Sequence, residues 1–322
     1  MQLVACLAVL VLCVAEAVEN CPDVCKCTKQ TSPERSEVNC HKKGMRKFPS
    51  KLPPDSWILK MGENRIVDLP PNVLKPIPKI ESINLERNVI KSIHPQAFSG
   101  ARRLMLLNLY GNQINKLPLK GFQDLLNLRF LMLGQNQISS VKPDMFTGMR
   151  NLSDLDLPLN SLTALPSNAF KPLIALKVLD LALNRIQRIS TKGFPLASLE
   201  MLLSQLALSG NRLKTVDGSM FTQLSGKRLT CLQLYWRDAT PFFHQKFHNL
   251  VFVDGGGKCS LKEVYLHDNP WTCDCNINNL VRWMSQTKAN LSPLESLRCV
   301  APAGYRDKSL NSLKDQNLRC RA

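Results

Sequence analysis

Aromatic residues, acidic residues and long apolar runs are all scarce in this sequence. Aromatics fill only 6% of the 322 positions, so a core has to be built from Leu, Ile and Val. Lys and Arg number 42 against 25 Asp and Glu, a formal charge of +17. That imbalance points to acidic or polyanionic neighbours. No run of about 18 apolar residues occurs, so no membrane-spanning helix is expected. No hydrophobic anchor tail follows Cys320 either. Catalytic patterns are missing too. His244 and His248 are four apart but lack the intervening Glu of a zinc-protease helix. Gly255-Gly-Gly-Lys258 has the wrong spacing for a phosphate loop, and Cys259 stands where Ser or Thr is needed. No serine-nucleophile motif is visible. Neither an enzyme, nor a metal, nor a cofactor is expected.

What is present begins with residues 1–17, which read as a secretory signal peptide. Leu3 to Val14 is apolar, and Ala15-Glu16-Ala17 fits a small-x-small cleavage site. Its n-region has no Lys or Arg, but the run is too short for a membrane anchor. Of twelve cysteines, Cys6 and Cys13 leave with the signal. The ten that remain cluster towards the two ends, which suits an oxidising compartment. The expectation is a secreted protein of the extracellular space or matrix, for which nucleic acid is not an expected partner.

Two combs organise the rest. The phrase L-x-L-x-x-N, as in Leu179-Asp-Leu-Ala-Leu-Asn184, recurs with Asn at 64, 88, 112, 136, 160 and 184. Ten residues after each Asn from Asn88 on stands a phenylalanine: Phe98, Phe122, Phe146, Phe170 and Phe194. The period is 24 in both, the pattern of a leucine-rich-repeat solenoid. In L-x-L the two leucines share one strand face and point inward, while the residue between them points out. One strand per coil predicts a curved parallel β-sheet on the concave face of an α/β solenoid. The convex side is expected to be irregular, 3-10 or extended, with prolines at 70, 118 and 166. Each Asn ends its strand, and its buried amide must bond backbone groups of its own and neighbouring coils. Continuing the combs gives Asn211, then Leu232-Gln-Leu234 with Arg237 in the Asn place, then Asn269, about nine rungs in all.

A solenoid's end coils need covers. Cys21, Cys25, Cys27 and Cys40 precede the first rung, and Asn269-Pro-Trp-Thr-Cys273-Asp-Cys275, Cys299 and Cys320 follow the last. These segments resemble the cysteine-rich flanks of extracellular leucine-rich-repeat proteins, of the kind found in chondroadherin, Slit and leucine-rich alpha-2-glycoprotein. The resemblance implies Cys21–Cys27, Cys25–Cys40, Cys273–Cys299 and Cys275–Cys320 disulfides, and it points away from enzymes. The expected divisions are a signal at 1–17, an N-terminal cap at 18–54, repeats at 55–268 (irregular over 195–268) and a C-terminal cap at 269–322.

Function is expected on the concave face, from outward strand positions and the two residues before each Asn. Asn84, Arg87, Leu106, Asn108, Tyr110, Phe130 and Met132 lie there, beside the carboxylates Asp154, Asp156 and Asp180. An apolar and aromatic group with a charged border is how protein interfaces commonly look. The bland alternative is that Leu106 and Met132 only fill gaps between strands, with the aspartates a solvated face. The reading is a non-enzymatic binding protein for an extracellular protein or matrix ligand; alternatives are an inhibitor of a phospholipase, toxin or microbial ligand, or a soluble receptor-type ectodomain. Lys42, Lys43, Arg46, Lys47 and Lys51, with Arg298, Arg306, Lys308, Lys314, Arg319 and Arg321, put basic clusters on the flanks, where heparin-like glycosaminoglycan or collagen are candidate partners. Cys231 and Cys259 form the odd pair, within a stretch, 225–260, that is either a specialised insertion or a misread sequence. A disulfide between them would staple it. Asn151-Leu-Ser153 and Asn290-Leu-Ser292 match the N-glycosylation sequon.

Overall fold

Among the described residues, seven short parallel strands, one to a coil, form the spine of the main sheet. The computed structural model describes residues 20–166, 169–189, 205–208, 210–213, 215–216, 263–264, 269–286, 290–291, 295, 297–314, 316 and 318. The sheet runs β1 (Lys26–Thr31), β2 (Glu34–Asn39), β3 (Ser56–Lys60), β4 (Ser82–Asn84), β5 (Leu106–Asn108), β6 (Phe130–Met132), β7 (Asp154–Asp156), β8 (Val178–Asp180) and β9 (Gln205–Ala207), in that spatial order. β1 and β2 are an antiparallel hairpin, and β2 lies parallel to β3, so the N-terminal cap belongs to the same sheet. The inward residue in register along the coil strands, from Leu59 through Ile83, Leu107, Leu131 and Leu155 to Leu179, is no more than 1% exposed. L-x-L therefore does what strand geometry demands of it.

The Asn comb is a ladder of buried amides. Asn112 is representative: its Nδ2 donates to the carbonyls of Leu109 (3.0 Å) and Tyr110 (3.4 Å) in its own coil. It also donates to Leu85 in the coil before (3.0 Å), while Oδ1 accepts from the Ile90 N–H there (3.0 Å). One amide thus satisfies backbone groups on two coils, which a strand end in an apolar interior cannot leave unpaired. The Phe comb stacks on the far side, with ring centroids 5.7 Å apart for Phe98–Phe122 and for Phe146–Phe170. The outer connections are short: Asp68–Leu69 pairs with Ser92–Ile93, and Pro143–Phe146 is a 3-10 turn. Gly148 (φ +91°) follows that turn, where a Cβ would lie 2.2 Å from the Gln123 carbonyl oxygen. Only glycine fits there.

One further regularity has no signature in the comb. The residue before each ladder Asn is left-handed: Glu63, Arg87, Gly111, Gln135, Leu159, Leu183 and Gly210 all have φ between 51° and 68°. Five of the seven are not glycine, so the surrounding coil imposes a conformation that L residues rarely adopt.

Both ends are closed. Cys21–Cys27 and Cys25–Cys40 are disulfides in the N-terminal cap, and Cys273–Cys299 is one in the C-terminal cap. Cys275 is also disulfide-bonded, while Cys320, Cys231 and Cys259 lie outside the described residues. The N-terminal cap imitates a preceding coil. The N–H groups of Lys43 and Met45 donate to Asn64 Oδ1 (2.9 and 3.0 Å), and Asn64 Nδ2 donates to the Cys40 carbonyl (2.8 Å). At the other end stand the fully buried Trp271, the turn Cys275–Ile277, which packs against Thr215–Val216, and helix α1 (Asn278–Gln286). Among the described residues, no helix is long and apolar enough to cross a membrane.

The expected nine rungs need correction. Each ladder Asn accepts from the N–H two residues after the preceding Asn, as Ile186 N–H does to Asn211 Oδ1 (3.0 Å). Leu213 N–H donates in the same way to Asn269 Oδ1 (3.2 Å). Asn269 therefore takes the ladder place directly after Asn211, which makes eight ladder asparagines among the described residues. Residues 217–262, which include Leu232 to Arg237, lie outside the described residues.

Candidate functional site

The parallel register sorts the concave face into rows. The first strand residues align as Ile58, Ser82, Leu106, Phe130, Asp154, Val178 and Gln205. The third align as Lys60, Asn84, Asn108, Met132, Asp156, Asp180 and Ala207. No described element covers these rows. Parallel sheets are ordinarily buried on both faces, so an uncovered one is a departure that asks for a reason. Within the rows Phe130 is 37% exposed, beside half-buried Leu106, Met132 and Tyr110. The Tyr110 ring lies against Gly134, where an added Cβ would be 3.0 Å from it.

Not every residue expected here presents its polar group to a partner. Asn84 Oδ1 accepts from Glu86 N–H (2.9 Å), Asn108 Oδ1 from Tyr110 N–H (3.0 Å) and Asp180 Oδ1 from Ala182 N–H (2.9 Å). These side chains hold the turn that follows their strand, a local bond typical of Asn and Asp. Asn108 is only 8% exposed, and its Nδ2 donates to Glu86 Oε2 (3.0 Å). It sits in the concave row but is covered by its neighbours. At Asp156 the residue two on is Pro158, which has no N–H, so the turn bond cannot form there. Arg87 is exposed beside these rows, at one of the left-handed positions.

The carboxylates fall together. Asp156 pairs in register with Asp180, and Asp154 is two residues before Asp156 on the same strand. Adjacent strands are about 4.8 Å apart, so like charges crowd. Burial raises the Asp154 carboxyl above its ordinary range; the hydroxyl of Ser153, which donates to it, and the charge of Lys177 only partly oppose that. A carboxyl raised in the fold is easier to protonate there than in the unfolded chain. Its contribution to stability is then full below the unfolded value and is lost as pH rises through the folded one. Asp154→Asn should accordingly gain melting temperature relative to the parent as pH rises from about 3 to 7, and a gap that does not widen would refute the point. The opposite end of the face is paired: Lys60 with Glu37 (2.6 Å), and Arg35 with Glu81 (3.8 Å) while stacked over Trp57. Among the described residues, no group of three or more His, Cys, Asp or Glu could hold a metal ion.

With the rows in place, comparison decides the architecture. The leucine-rich-repeat family model matches residues 58–114, 102–160 and 150–203. The fold is a leucine-rich-repeat solenoid. Leucine-rich repeat-containing protein 3 of mouse is 34% identical over 81 residues, 25% of this chain and 31% of that one. Human leucine-rich repeat-containing protein 3B is 30% identical over 106 residues, 33% and 39% of the two chains. The matches span about a third of the length of these relatives. Among solved structures, human trophoblast glycoprotein (Wnt-activated inhibitory factor 1) gives a TM-score of 0.66 at 21% identity, covering 93% of this chain and 99% of that one. The Toll–Spatzle complex gives 0.64 at 18%, covering 86% of this chain and 38% of that one. The TLR13–ssRNA13 complex gives 0.56 at 25%, covering 73% and 32%. At such identities the likeness to trophoblast glycoprotein and Toll is one of fold.

Proposed function

We propose that this chain is an extracellular, non-enzymatic binding protein whose concave face takes a protein ligand. The observation that carries the reading is the uncovered parallel sheet, on which the exposed Phe130 stands in register with Leu106 and Asp154. Such a face combines an apolar centre with charge at its side. Disulfides in both caps support an oxidising compartment. A leucine-rich-repeat fold of this kind is seen bound to a protein in the Toll–Spatzle complex. The partner places apolar side chains over Tyr110, Phe130 and Met132 and a cation over Asp154, Asp156 and Asp180.

Glycosylation at Asn151 fits this reading. The residue is exposed, and its Nδ2 donates to the Leu126 carbonyl (2.8 Å). An N-linked amide keeps one N–H, so that bond survives the modification. Asn290 lies in a two-residue strand paired with Glu263–Val264.

Crosslinking of the purified protein in serum or matrix extract, followed by affinity measurement on the adduct, tests the proposal. Tyr110→Ala with Phe130→Ala should weaken binding at least about tenfold, since large buried aromatics dominate interface energies. The Asp→Asn triple variant should weaken it less and remove part of its salt dependence. A partner that binds both variants undiminished would sink the concave assignment.

A further inference from the structure

The edge where the chain runs into each strand is built as carefully as the concave face. Arg129 N–H donates to the Met105 carbonyl (2.8 Å), Met105 N–H to Glu81 (2.8 Å), Ser153 N–H to Arg129 (2.9 Å) and Lys177 N–H to Ser153 (2.7 Å). Two residues earlier in the coils, Asn127 Nδ2 donates to the Arg102 carbonyl (2.9 Å) and Asn151 Nδ2 to Leu126 (2.8 Å). These bonds stack positions that are about 24 residues apart in sequence into one continuous strip.

The strip is cationic. Across residues 77–81, 101–105, 125–129, 149–153 and 173–177 stand Lys79, Arg102, Arg103, Arg129, Arg150 and Lys177, all exposed, against the carboxylate Glu81, with Asp124 and Asp154 on the borders of the strip. It is also apolar in places where a solvated edge would not be. Met105 is 36% exposed, Leu126 45% and Ile174 58%. Down the outermost row Arg102, Leu126, Arg150 and Ile174 alternate cation and aliphatic at successive coils. Lone surface cations call for no partner, and a linear sulfated chain offers aliphatic groups nothing to bury. Arginine and methionine beside exposed aliphatics is the composition of a protein-contacting surface, whereas lysine is depleted from such surfaces. The basic clusters of the N-terminal cap, Lys42, Lys43, Lys47 and Lys51 among them, have the lysine-rich character of a solvated surface instead.

We infer that this edge is a second docking surface, for an acidic protein segment that carries apolar side chains between its carboxylates. The surface centres on Arg102, Arg103, Met105, Leu126 and Arg129, and a glycan at Asn151 would bound it on the side of the next coil. It does not depend on the concave reading, because its side chains are other ones.

Retention of the full-length protein on four immobilised polymers tests the inference: a random glutamate–tyrosine copolymer, polyglutamate, heparin and poly(U) RNA. At about 0.15 M salt the copolymer should be bound roughly tenfold more tightly than polyglutamate, because the aromatic groups find Met105 and Leu126. Arg102→Glu with Arg103→Glu and Arg129→Glu should abolish binding to both acidic polypeptides, and Met105→Ser with Leu126→Ser should bring the copolymer down to the polyglutamate level. Circular dichroism melts confirm that these exposed substitutions leave the fold intact, and Asn151→Gln run beside them keeps glycan out of the readout. Equal affinity for the two polypeptides overturns the inference. So does tighter, arginine-dependent binding of heparin or of RNA, which would make the edge a polyanion track. Retention unchanged in the arginine variant overturns it as well.

Discussion

Replacing Asn136 by Leu should make the middle of the solenoid melt several degrees below the parent protein. The two side chains are nearly equal in size, so the change isolates the amide. Asn136 is 8% exposed and makes four bonds: Nδ2 to the carbonyls of Leu109 (3.0 Å), Leu133 (3.0 Å) and Gly134 (3.2 Å), and Oδ1 from Ile114 N–H (3.0 Å). Leucine orphans the buried Ile114 N–H and removes one of two donors from each carbonyl, since Leu109 keeps Asn112 Nδ2, Leu133 keeps Asn160 Nδ2 and Gly134 keeps the Gly111 N–H. The orphaned N–H costs about 1–3 kcal/mol and each lost carbonyl bond about 0.5–1.5 kcal/mol, against which the extra apolar surface recovers roughly 1–2 kcal/mol. The net loss is on the order of 3 kcal/mol, about 5 °C in Tm for a chain of this size. Because a coil contacts only its neighbours, the damage divides the array instead of spreading through it. Asn127→Leu is the control. Asn127 is exposed and has one bond, to the Arg102 carbonyl (2.9 Å), so its loss should cost under about 1 kcal/mol. Comparable shifts at the two positions in thermal or urea melts would show that the ladder does not hold the coils together.

The ladder was legible in the sequence because a buried amide that serves two coils must recur at the coil length. The Phe stack and the L-x-L parity were legible for the same reason. The left-handed turn was not: Glu63, Arg87, Leu159 and Leu183 adopt it under pressure from the neighbouring coil, and none is a residue type that advertises a positive φ. On the concave face parity correctly aligned Leu106 with Phe130 and Asp156 with Asp180. It did not reveal that Asn84, Asn108 and Asp180 also hold turns, although Asn or Asp ending a strand two residues before a bend was an available cue. The cationic edge escaped because Lys79 and Arg103, or Arg129 and Lys177, are separated by whole coils and form no run. The clusters that did form runs, on the caps, drew attention in their place. Nor could spacing tell which near-copy follows Asn211 in the ladder, since Leu232-Gln-Leu234 satisfies the strand pattern as well as Val264-Tyr-Leu266 does.

That last ambiguity yields a second large effect. A chain lacking residues 227–260 should fold, and in it Asn269→Leu should be as damaging as Asn136→Leu. Asn211 and Asn269 are 58 residues apart where a regular step is 24, which leaves 34 to spare. Removing 227–260 takes out that number and restores every position of the coil. Leu261 falls sixteen residues after Asn211, as Leu104 does after Asn88. Val264 and Leu266 then match Leu107 and Leu109, and Asn269 arrives on the comb. Its Oδ1 already accepts the Leu213 N–H (3.2 Å), so the deletion asks no ladder bond to re-form. Cys231 and Cys259 leave together, so no thiol is stranded. Shortening the connection by about half is worth less than about 1 kcal/mol in closure entropy, and the Tm should move little. Asn269→Leu in the shortened chain is the decisive arm, with an expected loss on the order of 3 kcal/mol. If the shortened chain fails to fold, or if Asn269→Leu proves harmless in it, Asn269 is not the rung after Asn211. Residues 227–260 would then have to supply a coil of their own between them.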